Sequence, residues 1–132
     1  QESPGVNLGF DYSRTNNPTR QRLEEVLANL EGVAHCALFA LGAAAVHAVL
    51  LANLRPHDEI VVPNDVYGGT FRLLNRVFAG FDLTITPVDT ADLDAVQSAI
   101  TTRTRLVWLE TPTNPRLFVS DIRAIAAIAQ IG

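Results

Sequence analysis

The chain has 132 residues, 48% hydrophobic and 18% charged. That composition describes a packed core rather than disorder, and the length allows one domain at most. The net charge of −4 argues against a nucleic-acid partner, and no apolar run reaches the ~20 residues of a membrane span. All 10 basic residues are arginine, so chemistry that needs an amine for a Schiff base has no amine within these residues.

Residues 1–11 are irregular, with Pro4, Gly5 and Gly9 breaking any period, and carry no signal-peptide pattern. They read as part of an arm over 1–18, ahead of an α/β domain over 19–132. Tyr12 and Arg14 precede a helix with Asn17 as N-cap and Pro18 at its first position. Its apolar stripe is Leu23, Val26, Leu27 and Leu30, and Gly32 is the stop. Arg14 suits a phosphate or carboxylate, or is simply a solvated arginine. Residues 34–39 suit a short buried strand. Cys36 within it reads as a small core residue; as the one cysteine it can form no internal disulfide, which fits a reducing, cytoplasmic setting.

Gly42 opens an apolar helix that ends near Leu54. The amides of Gly42 and Ala43 either receive an anion at the helix start or reflect ordinary close packing. Residues 59–62 form a strand. Then comes Asp65-Val66-Tyr67-Gly68-Gly69-Thr70-Phe71-Arg72, and a helical pattern through Phe71, Leu74, Val77 and Phe78. A tyrosine and two glycines thus sit where a strand gives way to a helix, the edge where parallel sheets bind ligands. Tyr67 offers a flat face for a planar ring, although a turn with one surface tyrosine explains the same residues.

Residues 83–87 alternate as a strand, and Thr90 is placed to cap the helix of Leu93, Val96 and Ile100. Residues 105–109 form another strand, followed by the polar loop Glu110-Thr111-Pro112-Thr113-Asn114-Pro115. Ser120 is placed to cap a last helix bearing Ile122, Ile125 and Ile128. Alternating strands and helices give an α/β fold with a mainly parallel sheet and helices on both faces. His35, His47 and His57 lack metal-ligand spacing, so no metal site is expected. Walker A and GxGxxG fingerprints are absent.

Tyr12-Ser13-Arg14, Asn17-Pro18-Thr19, Gly42, Tyr67-Gly68-Gly69-Thr70 and Glu110-Thr111-Pro112-Thr113-Asn114-Pro115 occur in one order. Together they resemble the Cys/Met-metabolism family of pyridoxal-phosphate enzymes, with the cystathionine γ-synthase branch nearest. The resemblance implies the early part of the large domain of a fold-type I pyridoxal-phosphate enzyme. It implies pyridoxal 5′-phosphate as cofactor, with Tyr67 stacking on the pyridine ring and acting in proton transfer. It implies Gly42 and Ala43 amides on the cofactor phosphate, Tyr12 and Arg14 reaching a neighbouring subunit's phosphate, and Asn114 near the phenolic oxygen. Glu110 lies at a matching site position. Leu41 stands where the family usually has serine, Ala43 replaces a larger residue, and Asn16 replaces glycine.

The activity so implied is γ-replacement, in which cysteine adds to an activated homoserine ester. A γ-lyase or a homoserine-ester sulfhydrylase would look similar over this region. A non-catalytic binding or assembly subunit is the rival from another class, favoured by Leu41 and by the missing lysine. The cofactor lysine and the aspartate on the pyridine nitrogen are expected beyond Gly132, or the lysine on a companion chain. With apolar helix faces uncovered, the chain is expected to be an oligomer or to need a partner.

Overall fold

The computed structural model describes residues 9, 10 and 12–130. The irregular stretch read at 1–11 therefore lies mostly outside the described residues. Two compact units divide between Gly42 and Ala43.

In the first unit, α1 (Pro18–Glu31) starts and stops as its sequence dictates. Asn17 accepts hydrogen bonds from the amides of Thr19 and Arg20, and Gly32 closes the helix in the left-handed region at φ 67°. The expected apolar stripe is largely exposed, and Ala28 is the residue of α1 that is buried. Residues 34–39 differ from expectation: they pair with no strand among the described residues. The Leu38 amide donates instead to the Glu24 carboxylate at 3.0 Å. Apolar residues alone do not make a strand; a ladder partner must take the backbone groups.

The second unit holds β1 (Glu59–Pro63), β2 (Thr84–Val88) and β3 (Thr104–Val107) in a parallel sheet of order β2-β1-β3. The apolar helix α2 (Gly42–Asn53) precedes the sheet. The short helix α3 (Gly68–Arg72), α4 (Leu93–Ala99) and α5 (Ile122–Ala129) complete the regular helices. The central strand β1 is buried along its whole length, as a strand covered on both faces must be. Ile60 and Val62 point to one face and pack with Leu50, Leu54, Leu74 and Phe78. Val61 points to the other face and is also buried, as are Val96 of α4 and Ile125 of α5. At the amino end of β1 the buried Glu59 pairs with the Arg103 guanidinium and accepts from the Thr101 hydroxyl. Arg105 is an extra residue in β3 opposite the Glu59–Ile60 step, so the strand bulges there.

The helix expected after Tyr67 is not regular. After Arg72 the ladder widens to a π-turn over Leu73–Val77, with the Phe78 amide donating to the Leu73 carbonyl at 2.9 Å, and a 3₁₀ turn follows over Ala79–Phe81. Leu74 and Phe78 reach the core, whereas Phe71 and Val77 of the expected stripe stay exposed. The half-buried His47 packs edge-on against Phe78 with ring centroids 5.5 Å apart, at the margin of the core.

Both expected hydroxyl caps are corrected. Asp92 caps α4 and Asp121 caps α5, each through its carboxylate. Thr90 and Ser120 instead hydrogen-bond to each other at 2.7 Å in a buried pair. Among the described residues no helix is long and apolar enough to cross a membrane.

Replacing Ile60 by Ala removes a wholly buried side chain from the centre of this core and should cost about 2–5 kcal/mol. Asn17→Ala removes only a cap and should cost about 1 kcal/mol. Denaturant unfolding of both variants checks the ranking; an equal or larger loss for Asn17→Ala would contradict this assignment of the core.

Candidate functional site

The sheet brings two expected residues together. β1 and β3 are parallel neighbours, so their carboxyl ends lie side by side, and the Trp108 amide still donates to the Val61 carbonyl at 2.9 Å. Tyr67 follows β1 and Glu110 follows β3. The Tyr67 backbone amide donates to Glu110 Oε2 at 2.6 Å. Glu110 Oε1 accepts from the Thr70 hydroxyl at 2.7 Å and from the Trp108 indole N–H at 3.0 Å. Three donors therefore meet on one carboxylate, the side chain that can only accept when ionised.

The Tyr67 ring folds back over Gly69. A Cβ added at Gly69 would lie 2.9 Å from Tyr67 Cδ1 and closer still to Cε1, nearer than real side chains approach. Glycine is required there for the ring, not for the backbone angle. Tyr67 is 49% exposed, so the residue is accessible beside the turn. Two residues upstream, Asp65 Oδ2 is buried with no hydrogen-bond partner among the described residues.

Asn114 sits in the loop after β3. The buried Thr113 organises that loop: its amide donates to the Phe118 carbonyl, its carbonyl accepts from Leu117, and its hydroxyl accepts from the Phe118 amide. Asn114 itself is exposed and makes no side-chain hydrogen bond within the described residues, which leaves its amide available. Ala43 and Gly42 form the first turn of α2. The preceding residue is Leu41, 68% exposed and without an acceptor, so these amides have no side-chain cap among the described residues. The other long helices, α1, α4 and α5, are each capped.

In the first unit, Tyr12 and Arg14 form their own pair. The Arg14 guanidinium carbon lies 4.7 Å from the Tyr12 ring centroid, a cation–π contact. The Tyr12 carbonyl accepts from the amides of Thr15 and Asn16, so a turn holds both side chains ahead of α1.

The sequence assigned no role in the site to Thr70, Trp108 or Thr113, although Thr70 and Thr113 lie within its motifs. A signal existed for Trp108, which lies two residues from Glu110 in an extended run and so shares its face. Thr70 and Thr113 act through hydrogen bonds that only the fold creates.

The parallel three-stranded sheet and its helices are part of an α/β domain of the fold-type I pyridoxal-phosphate class. The chain belongs to the Cys/Met metabolism PLP-dependent enzyme family, whose pattern it matches over residues 1–131. It is 55% identical over 124 residues to a cystathionine gamma-synthase of Mycobacterium bovis, covering 94% of this chain and 32% of that protein. It is 47% identical over 128 residues to the cystathionine gamma-lyase of Rattus norvegicus, covering 97% of this chain and 32% of that one. The crystal structure of a cystathionine gamma-lyase from Lactobacillus plantarum complexed with L-serine superposes with a TM-score of 0.88 at 49% identity, covering 99% of this chain and 34% of that chain. The chain thus spans about a third of the length of the relatives it matches.

Gly69→Ala tests the ring packing. Alanine is favoured over glycine in a helix by about 0.5–1 kcal/mol, so the variant should fold with little loss of stability. Its crystal structure should show the Tyr67 ring swung away from residue 69; a ring left in place would refute this account of Gly69.

Proposed function

We propose that these residues form part of a pyridoxal-phosphate-dependent transsulfuration enzyme that carries out γ-replacement, joining cysteine to an activated homoserine ester with loss of the γ-substituent. The observation that carries the reading is Tyr67, its backbone tied to Glu110 and its half-exposed ring laid over Gly69. The γ-synthase branch is preferred because the mycobacterial synthase is 55% identical, against 47% for the rat γ-lyase. A γ-lyase reaction is the second reading, favoured by the likeness to the lactobacillar enzyme.

The residues present fit the cofactor. The exposed aromatic ring of Tyr67 suits a planar pyridine ring, and the amides of Gly42 and Ala43, uncapped among the described residues, suit a phosphate at a helix start. Asn114 presents a free amide for an oxygen on the ring. Arg14, held against Tyr12, supplies a fixed positive charge for a phosphate, on this reading the phosphate of a neighbouring subunit. When bound, the cofactor supplies the electron sink for carbanion chemistry. The chain's own part is to bind and orient: Tyr67 holds the ring plane, and its phenol Oη holds or passes a proton beside it. The covalent lysine must come from outside these 132 residues, since they contain none. A reducing, cytoplasmic setting and an oligomeric enzyme, with residues 1–18 as an intersubunit arm, belong to the same proposal.

Two variants separate the roles of Tyr67 in the assembled enzyme. Tyr67→Phe keeps the stacking face and should retain cofactor while kcat falls about 10²-fold or more, as for loss of an acid–base group. Tyr67→Ala should in addition weaken cofactor retention about 10-fold, the size of a lost aromatic stack. Full activity in Tyr67→Phe and unchanged retention in Tyr67→Ala would overturn this role. Intact mass after borohydride reduction tests the enzyme reading itself. The cofactor mass should appear on a lysine-bearing polypeptide; a lysine-free species with no adduct would favour an assembly role.

A further inference from the structure

We infer that Glu110 is a positioning residue that acts on the cofactor only through Tyr67. The inference rests on the proposed role of Tyr67 as the cofactor's stacking residue.

Both carboxylate oxygens of Glu110 are engaged within the protein. Oε2 takes the Tyr67 amide at 2.6 Å, and Oε1 takes Thr70 Oγ1 and Trp108 Nε1 at 2.7 and 3.0 Å. Charge-assisted bonds of this kind are shorter and stronger than neutral ones. They fix both ends of the turn that carries the ring, since Thr70 is buried and lies three residues after Tyr67. The Tyr67 carbonyl is held as well, accepting from the Phe71 amide at 2.9 Å. The ring therefore has little freedom left apart from its own side-chain torsions, and the missing side chain at Gly69 leaves it room to lie over the turn.

A glutamine cannot replace this carboxylate. Three donors converge, and an amide turns its NH₂ group towards at least one of them. An aspartate is one methylene short and cannot reach all three from the same backbone position. Trp108 completes the support: it packs against the buried core cluster, so its indole N–H arrives from a rigid wall rather than from a mobile side chain.

The experiment is a double-mutant cycle in the assembled holoenzyme, with a second readout in the cofactor-free form. Glu110→Gln should lower kcat about 10-fold or more with KM changing less, and should alter the circular dichroism of the bound cofactor, because a displacement of about 1 Å is enough to lose that much. In a Tyr67→Ala background, Glu110→Gln should change kcat by less than about 2-fold, because the two residues act as one unit. In the apoenzyme, hydrogen exchange at the Tyr67 amide should accelerate about 10-fold or more on Glu110→Ala, which removes its acceptor altogether. Multiplicative effects in the cycle, or an unchanged Tyr67 amide, would overturn the inference. If Tyr67→Ala alone leaves kcat and cofactor retention intact, the Tyr67 reading fails instead, and the amide exchange still reports on the clamp. Should Glu110→Gln not fold, Thr70→Val and Thr70→Ser carry the test: valine should speed exchange at Tyr67 and serine should restore it.

Discussion

One carboxylate joins the carboxyl ends of two neighbouring strands. Glu110 leaves β3 and gathers the amide after β1, the hydroxyl of α3 and an indole from β3's own extension. The Thr70 hydroxyl and the Trp108 indole would otherwise need another acceptor in a partly buried place, where an unmet donor costs about 1–3 kcal/mol. The constraint is geometric as much as energetic. It converts the Tyr67 turn from a surface loop into an extension of the sheet, so the ring inherits the rigidity of the strands.

That rigidity starts in β1. The strand is buried throughout and lies between its two parallel neighbours, with apolar residues facing both ways. Its two ends are treated differently. At the amino end the buried Glu59 is neutralised by the exposed Arg103 guanidinium and accepts a hydrogen bond from the Thr101 hydroxyl. At the carboxyl end Asp65 Oδ2 is left without a partner among the described residues, and the tyrosine ring is left half open. The proposed cofactor site lies at that carboxyl end, the edge where open parallel sheets bind their ligands.

The legible parts of the sequence were those fixed by local chemistry. Asn17, Pro18 and Gly32 bound α1 because capping and left-handed geometry depend on a few adjacent residues. β1 and β3 were legible from their apolar runs and β2 from its alternation. The errors arose where a distant partner decides. Thr90 and Ser120 are good caps by type, yet each is buried against the other, and the aspartates Asp92 and Asp121 further on take the helix amides. The π-turn at Leu73–Val77 carries Leu74 and Phe78 into the core, and no local motif announces it. Residues 34–39 had the composition of a strand but lack the ladder. For the site, Tyr67 and Glu110 were legible as individual residues; their hydrogen bond, across 43 positions of chain, was not.

The helix starts show how the molecule distributes unsatisfied donors. α1, α4 and α5 each place an Asn or Asp on their first amides, and the turn into α3 is held by Glu110. α2 alone of the longer helices begins behind an apolar residue, Leu41, and among the described residues its first amides have no side chain to receive them. Hydrophobic burial supports that helix regardless: Leu50 and Leu54, at its far end, are wholly buried, each burial contributing about 1.5–3 kcal/mol. A helix so anchored at one end can leave its other end uncapped without unfolding. Local rules broken where the surrounding packing can sustain the cost mark functional positions, and in this chain the uncapped end carries the residues proposed to take a phosphate.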